Sequence, residues 1–215
     1  TAMLSNLLSY LHFKGKIKMR SGSKYIHDLN YCYYQGILPI SNHTIPLYNF
    51  GLELRDKSGI SYRISIFEIE SGDGDSYSNF NSHLISHLNN KSTVLLTFPV
   101  DSKEIRIDMY NSFFRLLDQI EVQSLILLKS KIDLKEDNQS NEKLFDELCS
   151  KIENNRIVSN YDFDIMEYTV GPILFNGIYK EKYPMNEANN IKLLDKIVPN
   201  FCEHKSTFFE RLFYR

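Results

Sequence analysis

Cysteine, long apolar runs and clustered basic residues are all scarce in this chain of 215 residues. The three cysteines lie far apart without metal-ligand spacing, which indicates reduced thiols in a cytoplasmic setting instead of a disulfide framework. No apolar stretch is long enough to cross a bilayer, and no signal peptide is visible. The formal net charge is −2 and no basic stripe is present, so no nucleic-acid partner is expected.

What remains is the composition of an ordinary soluble globular protein. Hydrophobic residues make up 42% of the chain and charged residues 24%. The length suits one well-packed domain and is short for two. We therefore predict a single domain over residues 3–200, followed by an aromatic tail over residues 201–215.

The spacing of apolar residues predicts strands that alternate with helices. Strands are predicted over Tyr10–Met19, Leu47–Arg55, Tyr62–Glu68, Ser92–Val100, Leu125–Leu128 and Phe163–Glu167. Helices are predicted over Lys24–Tyr34, Phe80–Leu88, Glu104–Ile120, Asn141–Glu153 and Ala188–Val198. This alternation is typical of an α/β fold with a mostly parallel sheet and helices on both faces. The second and third strands would form a hairpin.

A polar turn follows the apolar strand at Leu125–Leu128. Its residues are Ser130, Lys131, Ile132 and Asp133. A carboxylate at such a strand end can accept from the N1–H and the exocyclic amine of guanine, while a lysine stem can cover the ring. The turn therefore indicates a guanine site, although an ordinary surface turn has the same composition.

Several segments in sequence order resemble the motifs of one family. They are Thr44-Ile45 with Phe50–Leu54, Ile64–Glu68, Val94–Asp101, Ser130–Asp133 and Glu167–Val170. Together they resemble the Ras superfamily of small GTPases, and its Rab branch in detail. The resemblance implies a six-stranded Ras-like domain that binds GTP or GDP with Mg²⁺. The nucleotide-binding residues that it implies are Gly22, Ser23, Lys24, Thr44, Ser130, Lys131, Asp133, Thr169 and Val170.

The phosphate-binding motifs of this family are degraded here. The loop motif G-x-x-x-x-G-K-[ST] uses glycines, a lysine and a hydroxyl to hold phosphates and Mg²⁺. In the matching stretch Met19–Tyr25 only Gly22 and Lys24 survive, and Tyr25 replaces the hydroxyl residue. Glu68 stands at the switch II aspartate, and no glutamine follows to orient a water. These losses predict a pseudo-GTPase without a catalytic residue or a bound cofactor.

Two alternatives stay open. In the first, a divergent GTPase still binds and slowly hydrolyses GTP, with Lys24, Thr44 and Asp133 contacting phosphate, Mg²⁺ and base. In the second, the chain is an unrelated α/β scaffold subunit and the matches are coincidental. The lysines that alternate over Lys14–Lys18 favour this second alternative, because a buried central strand should be apolar on both faces.

A pseudo-GTPase would work as a protein–protein interaction module in membrane trafficking or signalling. Its protein partner would bind the switch-like segments Ile37–Phe50 and Ser71–Asn81. The proposed contact residues are Ile45, Leu47, Tyr48 and Phe50, although Tyr48 and Phe50 could equally face the core. No prenylation cysteine ends this chain, so the expected location is cytoplasmic, or peripheral at a membrane through a partner.

Residues that could indicate other chemistry have simpler interpretations. Cys149 falls on the apolar stripe of its predicted helix, which indicates a packed thiol. His83 and His87 have helical i, i+4 spacing but no third ligand nearby, so a solvated pair is expected. The acidic loop after Glu68 lacks the ligand positions of a calcium loop. No metal site is predicted.

Overall fold

The computed structural model describes residues 2–14, 17–19, 24, 27–28, 47–55, 60–69, 91–100, 110–130, 139–168 and 187–198. The helices in these ranges are α1 (Ala2–Phe13), α2 (Asn111–Leu117), α3 (Gln139–Ser159) and α4 (Glu187–Ile197). The strands are β1 (Ile17–Met19), β2 (Leu47–Arg55), β3 (Ser61–Ile69), β4 (Thr93–Pro99), β5 (Ser124–Ser130) and β6 (Asp162–Tyr168). By its internal contacts the chain divides into two compact units.

The first unit contains α1, α4 and a three-stranded sheet of order β1-β2-β3. Strand β1 pairs antiparallel with β2, with Lys18 opposite Glu53. Helices α1 and α4 contact each other, and each carries buried leucines. Between them the buried Asn190 amide donates to the Asn6 Oδ1 oxygen at 3.3 Å. This bond satisfies both polar groups within an apolar contact.

The strand predicted over Tyr10–Met19 is wrong in its first part. Residues up to Phe13 belong to α1, and only Ile17–Met19 is a strand. The reason is the helical spacing of the buried leucines Leu7, Leu8 and Leu11, which form one apolar stripe. Strand β1 lies at one edge of the described sheet and contains only Lys18 of the three alternating lysines. Lysine is an ordinary residue in an edge strand.

The second unit contains a parallel sheet of order β4-β5-β6. Helix α2 connects β4 to β5 and α3 connects β5 to β6, as the sequence predicted. Both helices pack on one face of the sheet, which right-handed crossovers between successive neighbouring strands require. The apolar cluster on this face includes Phe98, Leu125, Leu127, Leu148 and Ile152.

The predicted positions of the described elements are largely confirmed. Strand β2 has the predicted bounds, and β3, β4, β5 and β6 contain or overlap the predicted ranges. Helix α3 contains the predicted range Asn141–Glu153 and continues to Ser159. Helix α2 covers residues 111–117 of the predicted range Glu104–Ile120, of which residues 104–109 lie outside the described part of the chain. The helix predicted over Phe80–Leu88 lies outside the described residues, as does most of the one over Lys24–Tyr34.

The fold is thus mixed α/β, as predicted, but its described strands form two three-stranded sheets. One of them is parallel, and the other contains the antiparallel pair β1–β2. A single six-stranded Ras-like sheet is therefore not what the described strands form. Among the helices of these ranges, none combines the length and apolar character that crossing a bilayer requires.

Asn160 directly follows the last residue of α3 and has a left-handed backbone conformation, with a φ of 51°. Its amide donates to the Arg156 carbonyl at 2.8 Å and so closes the last turn. We expect Asn160→Ala to lower the free energy of unfolding by about 1 kcal/mol, because a Cβ without a local polar group disfavours this conformation. Asn160→Gly should be neutral. Urea unfolding compares them with Asn154→Ala, an exposed position inside α3. Equal losses for both alanine variants would contradict the assignment.

Candidate functional site

The carboxyl edge of the parallel sheet is where the sequence placed the guanine site. Pro99, Ser130 and Tyr168 are aligned there as the last residues of their strands. Ligands of open parallel sheets bind at such edges, because the loops that leave the strands surround a crevice. Helix α3 also begins at this edge, after the connection from β5.

Ser130 uses its hydroxyl within the sheet. The Ser130 Oγ donates to the Phe98 carbonyl at 3.2 Å. The Ser130 carbonyl in turn accepts from the Val100 amide at 3.1 Å. Ser130 therefore joins β5 to β4, and the one hydrogen that its hydroxyl can donate is already engaged.

Lys129 lies beside it on the face that carries the helices. Its Nζ contacts both carboxylate oxygens of Glu142, at 2.8 and 3.1 Å. The same ammonium lies 4.6 Å from the centre of the Phe145 ring. The lysine side chain is only 13% exposed, and a charge removed from water in this way needs such partners. Its charge is therefore neutralised within the protein.

Asn141 secures the first turn of α3 to β4. Its buried Nδ2 donates to the Val100 carbonyl at 2.8 Å. Glu142, in the same turn, combines a favourable position at a helix start with the Lys129 contact. The start of α3 is thus fixed to Val100, the residue after β4, by one bond and to β5 by an ion pair.

The remaining residues predicted for the site are not brought together in the described part of the chain. Lys24 is exposed, and Leu47, Tyr48 and Phe50 form the start of β2. The other predicted residues lie outside the described residues: Gly22, Ser23, Thr44, Ile45, Lys131, Asp133, Thr169 and Val170. Of the predicted nucleotide residues, Ser130 is the one that the structure places at this edge.

Sequence reasoning missed Lys129, Asn141 and Glu142. One signal for Lys129 was available, since a lysine that directly follows the apolar run Leu125–Leu128 must find a counter-charge or leave the core. Nothing in the sequence identified Glu142 as that partner. The buried Asn141 had no signal beyond its place at the start of a predicted helix.

A second polar network closes the amino edge of the same sheet. The Tyr161 hydroxyl contacts the Ile152 carbonyl at 3.2 Å and the Asn155 Oδ1 at 3.0 Å. Asn155 donates from Nδ2 to Asp118 at 2.8 Å. Burial, with a smaller effect of the Glu153 carboxylate, raises the pKa of Tyr161 to about 12. This tyrosine therefore holds its proton in ordinary buffers and joins β6 to α3.

Cys149 behaves as a packed thiol. It lies on α3 against the apolar cluster of the second unit. Burial, followed by the nearby Asp146 carboxylate, raises the pKa of the thiol above its usual value. A thiol that resists ionisation is a poor nucleophile. Within the described ranges, no group of three histidine, cysteine, aspartate or glutamate side chains could hold a metal ion.

No protein-family model matches this sequence, and no curated protein is significantly similar to it.

Proposed function

We propose that this chain is a Rab-like pseudo-GTPase that works as a protein–protein interaction module in trafficking or signalling. The six-stranded Ras-like arrangement is part of this proposal, as is a partner surface over Ile37–Phe50 and Ser71–Asn81. The motif order and the loss of phosphate-loop glycines motivate it. The chain would sit in the cytoplasm, or at a membrane through its partner.

The carboxyl edge of the parallel sheet carries the proposal. Polar side chains here have partners within the protein: Lys129 pairs with Glu142, while Ser130 and Asn141 donate to the backbone carbonyls of Phe98 and Val100. A bound guanine would have to displace the Ser130–Phe98 bond to use the Ser130 hydroxyl, which is the one group of the predicted base site among the described residues. This arrangement favours a protein that keeps the strand–helix plan without using the base site.

Two features of the fold bear on the alternatives. The order β4-α2-β5-α3-β6, with all strands parallel, is compatible with a Ras-like second half. The antiparallel pairing of β1 with β2, and the helix before β1, favour the unrelated α/β scaffold instead. That scaffold would also be an interaction protein. Nucleotide binding therefore distinguishes the active GTPase from both the pseudo-GTPase and the scaffold.

We expect the purified full chain to contain no stoichiometric guanine nucleotide. The protein is denatured, and the supernatant is analysed by ion-exchange chromatography. Titration with a fluorescent GDP analogue and Mg²⁺ should give no saturable binding. In a surviving GTPase, Asp133→Ala would abolish binding whereas Asp162→Ala, an exposed carboxylate at the other edge of the sheet, would not. Stoichiometric GDP or GTP would refute the proposal, and its loss in the Asp133 variant alone would assign it to the predicted base site.

A pseudo-GTPase should also lack a nucleotide-driven switch. The γ-phosphate and Mg²⁺ normally order the switch segments of a GTPase, so without them a single arrangement is expected. Hydrogen exchange over Ile37–Phe50 and Ser71–Asn81 should be the same with GTP, with GDP and without nucleotide. The amides of β5 serve as an internal reference. A nucleotide-dependent change in these segments alone would contradict the prediction.

A further inference from the structure

Strand β6 is an outer strand of the described parallel sheet. One of its long sides pairs with β5, and the opposite long side is its outer edge. The Asp162 amide donates to the Gln123 carbonyl at the start of β5, at 3.1 Å. Because the amides of successive residues alternate between the two sides of a strand, those of Phe163, Ile165 and Glu167 face away from β5. These amides are the donors that a further strand would use.

One outward amide has a partner from its own strand. The Ile165 amide donates to the Asp164 carboxylate at 2.8 Å, in an exposed position. A side-chain acceptor of this kind satisfies the donor in water and can be replaced by the carbonyl of an incoming strand. The Ile165 side chain itself is 44% exposed, so an apolar contact is available at the same place.

The charges along β6 restrict what can pair with it. Asp162, Asp164 and Glu167 are all exposed, and no lysine, arginine or histidine lies between residues 162 and 168. A second copy of β6 would bring like charges together, which disfavours pairing. Asp162 and Asp164 share one face of β6. A basic segment would place its cations against these two carboxylates, and such complementarity sets specificity more than affinity.

We propose that the outer edge of β6 binds an extended partner segment in which basic and apolar residues alternate. The segment adds as a strand: its carbonyls accept from the outward amides, and its basic side chains face Asp162 and Asp164 on one face of β6. On the opposite face one of its apolar side chains covers Ile165. This is strand addition, with backbone bonds for affinity and alternate side chains for specificity. The proposal does not depend on the state of the nucleotide site.

The test uses the full chain and a fluorescein-labelled peptide, Lys-Val-Lys-Ile-Lys-Val-Lys, in fluorescence anisotropy. Saturable binding is expected, and the corresponding glutamate peptide should not bind. A lysine peptide methylated at alternate backbone nitrogens keeps its charge but cannot add as a strand, so it should not bind either. Equal binding of the methylated peptide would overturn the proposal, because charge alone would then explain the association. Absence of binding by the unmodified peptide would overturn it too.

Three variants locate the site. Asp164→Lys should weaken binding by about tenfold, whereas Asp146→Lys, the same charge change at an exposed position on α3, should have little effect. Ile165→Pro removes an outward donor without removing a bond to β5, and about a tenfold loss is expected. The peptide should also slow hydrogen exchange at the Ile165 and Glu167 amides. Equal losses for the Asp146 and Asp164 variants, or protection at another strand instead of β6, would overturn the assignment.

Discussion

Phe98→Ala is expected to lower the free energy of unfolding by about 3–5 kcal/mol, because it empties the centre of the second unit's core. Phe98 is fully buried. Its ring meets Phe145 edge-on at 5.2 Å between centroids and stacks with Tyr110 at 6.4 Å. The alanine variant loses the buried apolar area and both ring contacts, and it leaves a cavity that the surrounding strands and helices cannot fill.

Urea unfolding followed by circular dichroism measures this loss. Phe98→Leu, which retains most of the volume, should cost much less and keeps the test usable if the alanine variant does not fold. Val158→Ala is the control for an apolar residue, since Val158 is 83% exposed. Its effect should stay within about 0.5 kcal/mol. A Phe98→Ala loss no larger than that of Val158→Ala would contradict the packing described for this core.

The second large effect is alkaline destabilisation through Tyr161. The folded protein holds the pKa of this tyrosine at about 12, whereas an unfolded tyrosine has a pKa of about 10. Above the unfolded pKa, the unfolded chain binds fewer protons than the folded one, so stability falls as the pH rises. The contribution is fully present below about pH 10 and is lost towards about pH 12, with an upper bound of about 3 kcal/mol.

Tyr161→Phe isolates this contribution from those of the other tyrosines. At neutral pH the variant should cost about 1 kcal/mol, because Asn155 and the Ile152 carbonyl each lose a hydrogen-bonding contact. Between about pH 10 and pH 12 the difference between wild type and variant should shrink and then reverse. Unfolding followed by far-ultraviolet circular dichroism avoids the changing tyrosine signal. Parallel pH profiles for the two proteins would refute the titration of Tyr161 as the cause.

The two networks explain why the candidate site was only partly predictable. Ser130 was identified because it ends an apolar strand, and a strand end is a local feature of the sequence. Its actual partner, the Phe98 carbonyl, is 32 positions away. The same holds for Lys129 and Glu142, which are joined only when α3 returns across the sheet. Long-range polar partners depend on packing, so spacing along the chain cannot identify them.

Elements whose apolar residues repeat over many positions were determined by sequence alone. Examples are the alternation in β2, the buried run of β5 and the helical stripe of α3. The spacing of apolar residues that lets one face be buried depends only on the type of element, so it can be recognised without knowing where the element packs. The first strand was misplaced because Tyr10–Phe13 complete the helical stripe that begins before them. Only tertiary structure decided that β1 pairs antiparallel with β2, and that the described strands form two sheets. Strand pairing depends on backbone bonds between distant segments, and those bonds are nearly independent of side-chain identity.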